Sequence, residues 1–537
     1  MKKDEFARLS KCVDLAVARI IEKGSDDVFK PPVFAQSLES SILNIRQDEF
    51  AKKARRETIS FLKAADLQKV RIGTTRHGLV TKDEHTFRQV AWLDPFDAVK
   101  YLATCLMVFP EIEEHRIPKT EGWVHSHRMS DSEMEIFDQR FGYDSFRAKS
   151  SELSKDRVGE WKVVTDISNF FDRIGNHSLE NHLDNIGCER RYITLIREML
   201  LFWSGDRRSF GVPVGSDASR ILSEAVLLNV DRRLKDAGII FVRYVDDFRI
   251  FAKTRLEALK NVEILTSLLA DEGLALNSRK TDIFQIVEPG EIATIINRFA
   301  GGEHDTIDLD EKIESKKVIR ISGRSSISKF YREPGKDTLK RIKAIPKPTI
   351  VSGFINASEQ DIEQQIKLAV KYFVYADQDV HLLEFLLNTK ITSVFYICDA
   401  LVKESGKFSA SKCKEIKDVV FDNFDWLHCA YPLQIPIIRA AAQEYFFEPR
   451  FAREIVDTHR QSDNMLFFRE AILLGHPCLD RPRLRHLAKD VFTNVPPFVQ
   501  RAIYSAIMDH EQLSQDEKRP LIKNMKQHAD DWFIDQL

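Results

Sequence analysis

The stretch IFVRYVDDFRIFAKT, residues 240–254, decides the reading of this chain. Two apolar runs flank the adjacent carboxylates Asp246 and Asp247, with no Gly or Pro between them. The pattern reads as a tight β-hairpin with both acids at its tip. Like charges so close repel, and solvation in an exposed turn is one way to tolerate them. A third acid offers another. KVVTDISNFFD, residues 162–172, ends an apolar strand on Asp166. An ionised carboxylate at the end of a buried strand is costly unless a cation neutralises it. With strand and hairpin side by side, Asp166, Asp246 and Asp247 converge. Such a cluster suits two Mg²⁺ ions about 3.5–4 Å apart, as used in in-line phosphoryl displacement. Oxygen donors without His or Cys favour Mg²⁺ or Mn²⁺ over zinc.

Outward from this core, residues 160–290 alternate strands with helices. WKVVTDI is a strand; NHSLENHLDNI, RRYITLIREMLLFW and SDASRILSEAVLLNVDRRLKDAG are helices, the last ending near Gly238. A helix then follows the hairpin, and ALNSRKTDIFQIV reads as a further strand. That is a helix-on-sheet α+β domain. Residues 1–70 read as helical, stopping first at Gly24, and Asp94–Pro95 mark the start of another helix. The composition shifts near 300–350 to linker-like SGRSSISKFYREPGKD. Beyond 350 come short amphipathic helices broken by Pro, Gly and polar loops, as in an irregular α-solenoid or a helical bundle, with no clean fixed period. The expected domains are therefore 1–70 helical, 71–160, 161–300 with the carboxylates, a 301–350 connector, and 351–537 all-α.

The four segments resemble, in order, the palm motifs of reverse transcriptases. TDISNFFD resembles the first metal-binding motif, GVPVGSDASRILSEAVLLNVD the next, YVDD the catalytic hairpin, and EGLALNSRKT a motif ending in lysine. The resemblance covers roughly 75–290. It implies a fingers–palm fold followed by a HEAT-like helical repeat. It makes Asp166 and Asp246 metal ligands, with Asp247 in support and Lys280 near the leaving pyrophosphate. Phe171, five after Asp166, takes the place of a steric gate against the ribose 2′-OH, although Phe170 and Phe171 also read as core. Gly211, Pro213 and Gly215 form a turn approaching the incoming nucleotide, and Ala218 and Ser219 keep the following helix start thin. Lys82 and Arg88 take the triphosphate-binding places, with Arg76 a competitor for the arginine. His125 and His127 read as structural.

The chain departs from the usual pattern at Val214, where templated enzymes carry Gln, and at Glu224. Both features, with the long helical region, resemble bacterial abortive-infection and defence-associated reverse transcriptases. That likeness implies dNTP addition to a 3′-OH or to a protein hydroxyl, which leaves DNA covalently attached. Synthesis is untemplated in some such enzymes and copies a partner non-coding RNA in others, and they commonly form homo-oligomers. A templated retron-type enzyme and a non-catalytic scaffold binding RNA or phage protein are the alternatives.

Composition narrows the setting. With 80 Lys+Arg against 82 Asp+Glu, whole-chain charge gives no polyanion signal. Local clusters do: Lys52, Lys53, Arg55 and Arg56, and the lysines of 335–348, each of which also reads as a solvated helix face. The seven cysteines form no C-x-x-C pair, so a zinc ribbon is not expected. No apolar run approaches the ~20 residues of a membrane span, and the first residues lack a signal-peptide core. A cytosolic protein is expected.

Overall fold

A computed structural model describes residues 3–24, 38–64, 72–73, 75–81, 86–132, 134–204, 209–287, 333–355, 362–459 and 465–537. It divides into two compact units. The first takes Met1–Asp26, Ala51–Thr75 and Leu93–Arg324; the second takes Asp27–Phe50, Arg76–Trp92 and Ser325–Leu537.

The first unit is built on four antiparallel strands: β3 (Trp161–Asp166), β4 (Ile240–Tyr244), β5 (Asp247–Ala252) and β6 (Asp282–Gln285), in the order β4-β5-β3-β6. Their burial follows the apolar pattern: Val163, Phe241, Phe248 and Ile250 are almost fully buried. The helix Asp217–Asp236 lies in the core, packed against the helices Pro95–Glu114, Asn176–Asn185 and Arg255–Asp271. Its start is fixed by Ser216, whose hydroxyl accepts from the Ser219 amide at 3.1 Å. Pro95–Glu114 starts at the expected cap: Asp94 accepts from the Phe96 amide at 3.0 Å, with Pro95 in the first turn. Capping of this kind contributes about 1 kcal/mol.

One element is shorter than its sequence suggests. The expected strand from Ala275 onward becomes β6 only at Asp282. Asn277 competes for the backbone: its amide donates to Asp166 O at 2.8 Å, its side chain accepts from the Arg279 amide at 3.2 Å, and its carbonyl accepts from the Lys280 amide at 3.0 Å. The resulting turn carries Lys280 back to the end of β3.

Among the described residues, the second unit is helical apart from the hairpin β1 (Arg76–Thr81) and β2 (Phe87–Trp92). Five helices pack one against the next: Ile362–Tyr372, Val394–Glu404, Tyr431–Ala441, Met465–Gly475 and Pro497–Asp509. The hairpin belongs to this core through Val90 and Trp92. Gly78 makes the approach possible, since a Cβ there would lie 2.4 Å from Leu466 Cδ2. The helix Leu38–Ile45 contributes Glu39, which is buried against Arg469 at 2.5 Å and Arg501 at 3.2 Å.

The two basic clusters differ. Arg55 is bonded to Asp14 and Ser10, and Lys53 lies 3.8 Å from Glu57. Lys336, Lys340, Arg341 and Lys343 are all exposed on the helix Lys336–Ala344. All seven cysteines are free thiols. No described helix is long and apolar enough to cross a membrane.

Candidate active site

The site forms where β3 ends and the β4–β5 hairpin turns. The register Tyr244↔Asp247 leaves a two-residue turn, Val245–Asp246. Val245 has φ +56°, the left-handed region that two-residue hairpins require and that a β-branched side chain rarely adopts. A turn without glycine therefore carries backbone strain, about 1–3 kcal/mol for such a residue.

Asp166 and Asp247 are direct cross-strand partners, so both project from the same face of the sheet. Asp246 closes the group through its carbonyl, which accepts from the Ile167 amide at 3.0 Å. Lys280 Nζ donates to Asp166 Oδ2 at 2.5 Å, while Asp166 Oδ1 is buried with no hydrogen-bond partner among the described residues. Burial and then the charge of Asp246 push the Asp247 carboxyl up to about 7; Asp166 adds to the rise, and Arg249 and Lys280 oppose it. Loss of solvation leads, and repulsion from the neighbouring carboxylates adds to it. Among the described residues, no three His, Cys, Asp or Glu side chains already stand as a ligand set around one point. The donor chemistry nevertheless fits a hard divalent cation: oxygen atoms only, one of them buried and unpaired among the described residues.

The neighbouring segments assemble beside these acids. Residues 209–212 run along 174–176 and Phe171: Gly211 N donates to Ile174 O at 2.8 Å, and Val212 N to Phe171 O at 3.0 Å. Gly211 and Gly215 have φ +97° and +101°, conformations that favour glycine on both sides of buried Pro213. Phe170 and Phe171 are both buried, with ring centroids 5.5 Å apart; Phe171 retains 8% exposure against 2% for Phe170. Ser219 is fully buried, its hydroxyl engaged by Tyr101 and Ser216 at 3.1 and 3.0 Å, so it thins the helix start without presenting a free hydroxyl. Arg88 is half-buried on β2, in the second unit, and Lys82 lies outside the described residues. His125 is built into the fold between Gly122 O and Ser145 Oγ, each at 2.9 Å.

Sequence reading missed what lies beneath the hairpin. Arg243 has no exposed surface and is bonded to Asp231 and Glu224 of the helix Asp217–Asp236. Glu224 also pairs with buried Arg116 at 2.8 Å. The signal was present: two acids seven apart fall on one helix face, and a lone arginine interrupts an apolar strand.

Residues 123–295 match the family model described as reverse transcriptase (RNA-dependent DNA polymerase), a family whose members use divalent metal ions. A curated relative, the retron Ec86 reverse transcriptase of Escherichia coli, is 24% identical over 122 residues, which is 22% of this chain. The match spans about a third of that relative, 36% of its length. Among solved structures, apo telomerase from Candida tropicalis aligns at 12% identity and TM-score 0.32, covering 67% of this chain and 66% of that one. Telomerase from Candida albicans with a fragment of telomeric RNA aligns at 13% and 0.29, covering 76% and 71%. Scores this low add nothing to the fold described above. All three acids, the 211–219 turn and Lys280 fall inside the segment that matches this family model.

Proposed function

We propose that the protein is a DNA polymerase of the reverse-transcriptase type that acts in antiphage defence in the cytosol. The observation carrying the polymerase reading is the cross-strand pair Asp166–Asp247 beside Asp246, with a buried unpaired oxygen on Asp166. Asp166 and Asp246 would hold two divalent cations, Mg²⁺ or Mn²⁺, with Asp247 in support. Bound there, the cations polarise the α-phosphate and lower the pKa of the attacking hydroxyl. Lys280, which donates to Asp166 Oδ2, would serve as the proton donor to the leaving pyrophosphate. Phe171 lies against the Gly211–Gly215 turn and restricts the sugar to deoxyribose.

The defence reading is finer and rests on Val214, Glu224 and the helical region, which we read as an irregular HEAT-like repeat enclosing the product strand or a partner RNA in a homo-oligomer. The retron relative favours a second reading, conventional copying of an RNA template. One experiment separates them. Purified protein is incubated with Mg²⁺ and each labelled dNTP, with and without primer–template. Label retained on the denatured protein supports protein priming. Extension only on added primer–template supports the retron-like reading. No incorporation with any metal, together with equal protection against phage by wild type and Asp246→Ala, overturns the polymerase and leaves a scaffold.

A further inference from the structure

We infer that Arg243 is a positioning residue for the carboxylates: a buried guanidinium that clamps the strained turn carrying Asp246. The inference rests on the polymerase reading for its meaning, but its geometry is independent of it.

Arg243 Nε and Nη2 grip Asp231 at 2.8 and 2.6 Å, and Nη2 also donates to Glu224 Oε2 at 2.9 Å. The remaining nitrogen turns the other way. Nη1 donates to Val245 O at 2.9 Å, with Ser126 Oγ at 3.5 Å. The acceptor is the carbonyl of the residue held at φ +56°. A strained backbone persists only where its surroundings over-determine it, and this bond comes from a side chain fixed at its other end by two carboxylates. Those carboxylates are anchored in turn: Glu224 is held by Arg116, which donates to Ser126 O at 2.6 Å and His127 O at 2.9 Å. The turn is thus tied to the core helix Asp217–Asp236 and to the 126–127 segment. Only a planar fork of five donors reaches acids on one side and a carbonyl on the other. A lysine keeps the charge but not this span.

Three variants test the clamp. Arg243→Lys retains a cation for the acids. Asp231→Asn perturbs the same buried network but leaves the guanidinium on Val245. Asp231→Leu/Arg243→Met removes one acid with one base, so that Glu224 keeps Arg116 and no buried charge is stranded. Amide hydrogen exchange of the peptides covering 240–252 and 167 is measured for each, together with Mn²⁺ affinity by titration and with kcat and KM for dNTP. The Arg243 variants are expected to exchange at least about tenfold faster in the hairpin, to bind Mn²⁺ roughly 10- to 100-fold more weakly, and to lose kcat with little change in KM. Asp231→Asn, even with an equal loss in Tm, should keep hairpin protection and Mn²⁺ affinity within about threefold of wild type. Unchanged hairpin exchange in a folded Arg243 variant overturns the clamp, as does an equal loss in Asp231→Asn. A wild type that binds Mn²⁺ but incorporates no dNTP overturns the polymerase reading and leaves the clamp judged by exchange alone.

Discussion

At the scale of single residues, the site turns on a few oxygens. Asp166 Oδ1 is buried and unpaired while Oδ2 is engaged by Lys280. If these acids hold the cations, Asp166→Asn or Asp246→Ala lowers dNTP incorporation below about a hundredth of wild type with the fold intact, because a neutral or missing donor cannot replace a charged one at a hard cation. Primer extension alongside circular dichroism checks this. Phe171→Ala is expected to admit ribonucleotides, improving kcat/KM for rNTP relative to dNTP by roughly 10- to 100-fold. If Phe171 serves only the core beside Phe170, the substitution lowers Tm and leaves that ratio unchanged. The acids were readable in the sequence because charge at a strand end is conspicuous. Arg243 left only a faint trace, a lone arginine in an apolar strand, since such a residue is equally an exposed edge residue until Asp231 and Glu224 of the packed helix are seen against it.

At the scale of elements, short-range chemistry explains which readings came true. Asp94, Ser216 and Thr254 cap their helices through side-chain bonds two or three residues on, so these starts are written locally. β6 was over-read because the apolar ends of ALNSRKTDIF frame a polar centre whose Asn277 prefers a turn. Tertiary ties between elements carry their own pH dependence. Ser178 and His182, on the helix Asn176–Asn185, both bond Glu272 Oε2, at 2.8 and 2.7 Å. Burial pushes the Glu272 carboxyl up, but the His182 bond and charge and the Ser178 hydroxyl outweigh it and hold it below its usual range. A depressed carboxylate contributes stability that is present above its unfolded pKa and lost as pH falls through the folded one. Glu272→Gln should therefore lower Tm at neutral pH and flatten the acid limb of the Tm–pH curve, as read by thermal melts from neutral pH down through the carboxylate range.

At the scale of the whole molecule, the helical array shows why no period was visible. The five packed helices begin at 362, 394, 431, 465 and 497, so successive starts lie 32 to 37 residues apart. Loops and short turns of variable length absorb the difference, which erases the fixed spacing a sequence comparison needs while leaving neighbour packing intact. The interleaving of the chain was hidden for a different reason: contacts 430 residues apart, such as Arg469 with Glu39, leave no local trace. Yet they set how the protein must fold. Glu39, Val90 and Trp92 all complete the core formed by the C-terminal helices, and Arg469 lies over the Trp92 ring at 5.5 Å. A chain cut after residue 324 keeps the carboxylate site in sequence but strips the partners from Leu38–Ile45 and from the β1–β2 hairpin. Burying a side chain such as Trp92 contributes about 1.5–3 kcal/mol, and a buried Glu39 stripped of its arginines has to move into water. Residues 1–324 are therefore expected to show faster proteolysis within 27–50 and 76–92 than the full chain does. The arrangement is also testable without truncation: Glu39→Gln in the full protein weakens its ties to Arg469 and Arg501, which keep Glu470 and Asp531, and should cost about 1–3 kcal/mol, read by chemical denaturation. Cleavage of 1–324 at the rate of the full chain, or a Glu39→Gln protein of unchanged stability, would mean that these segments fold without the helical array.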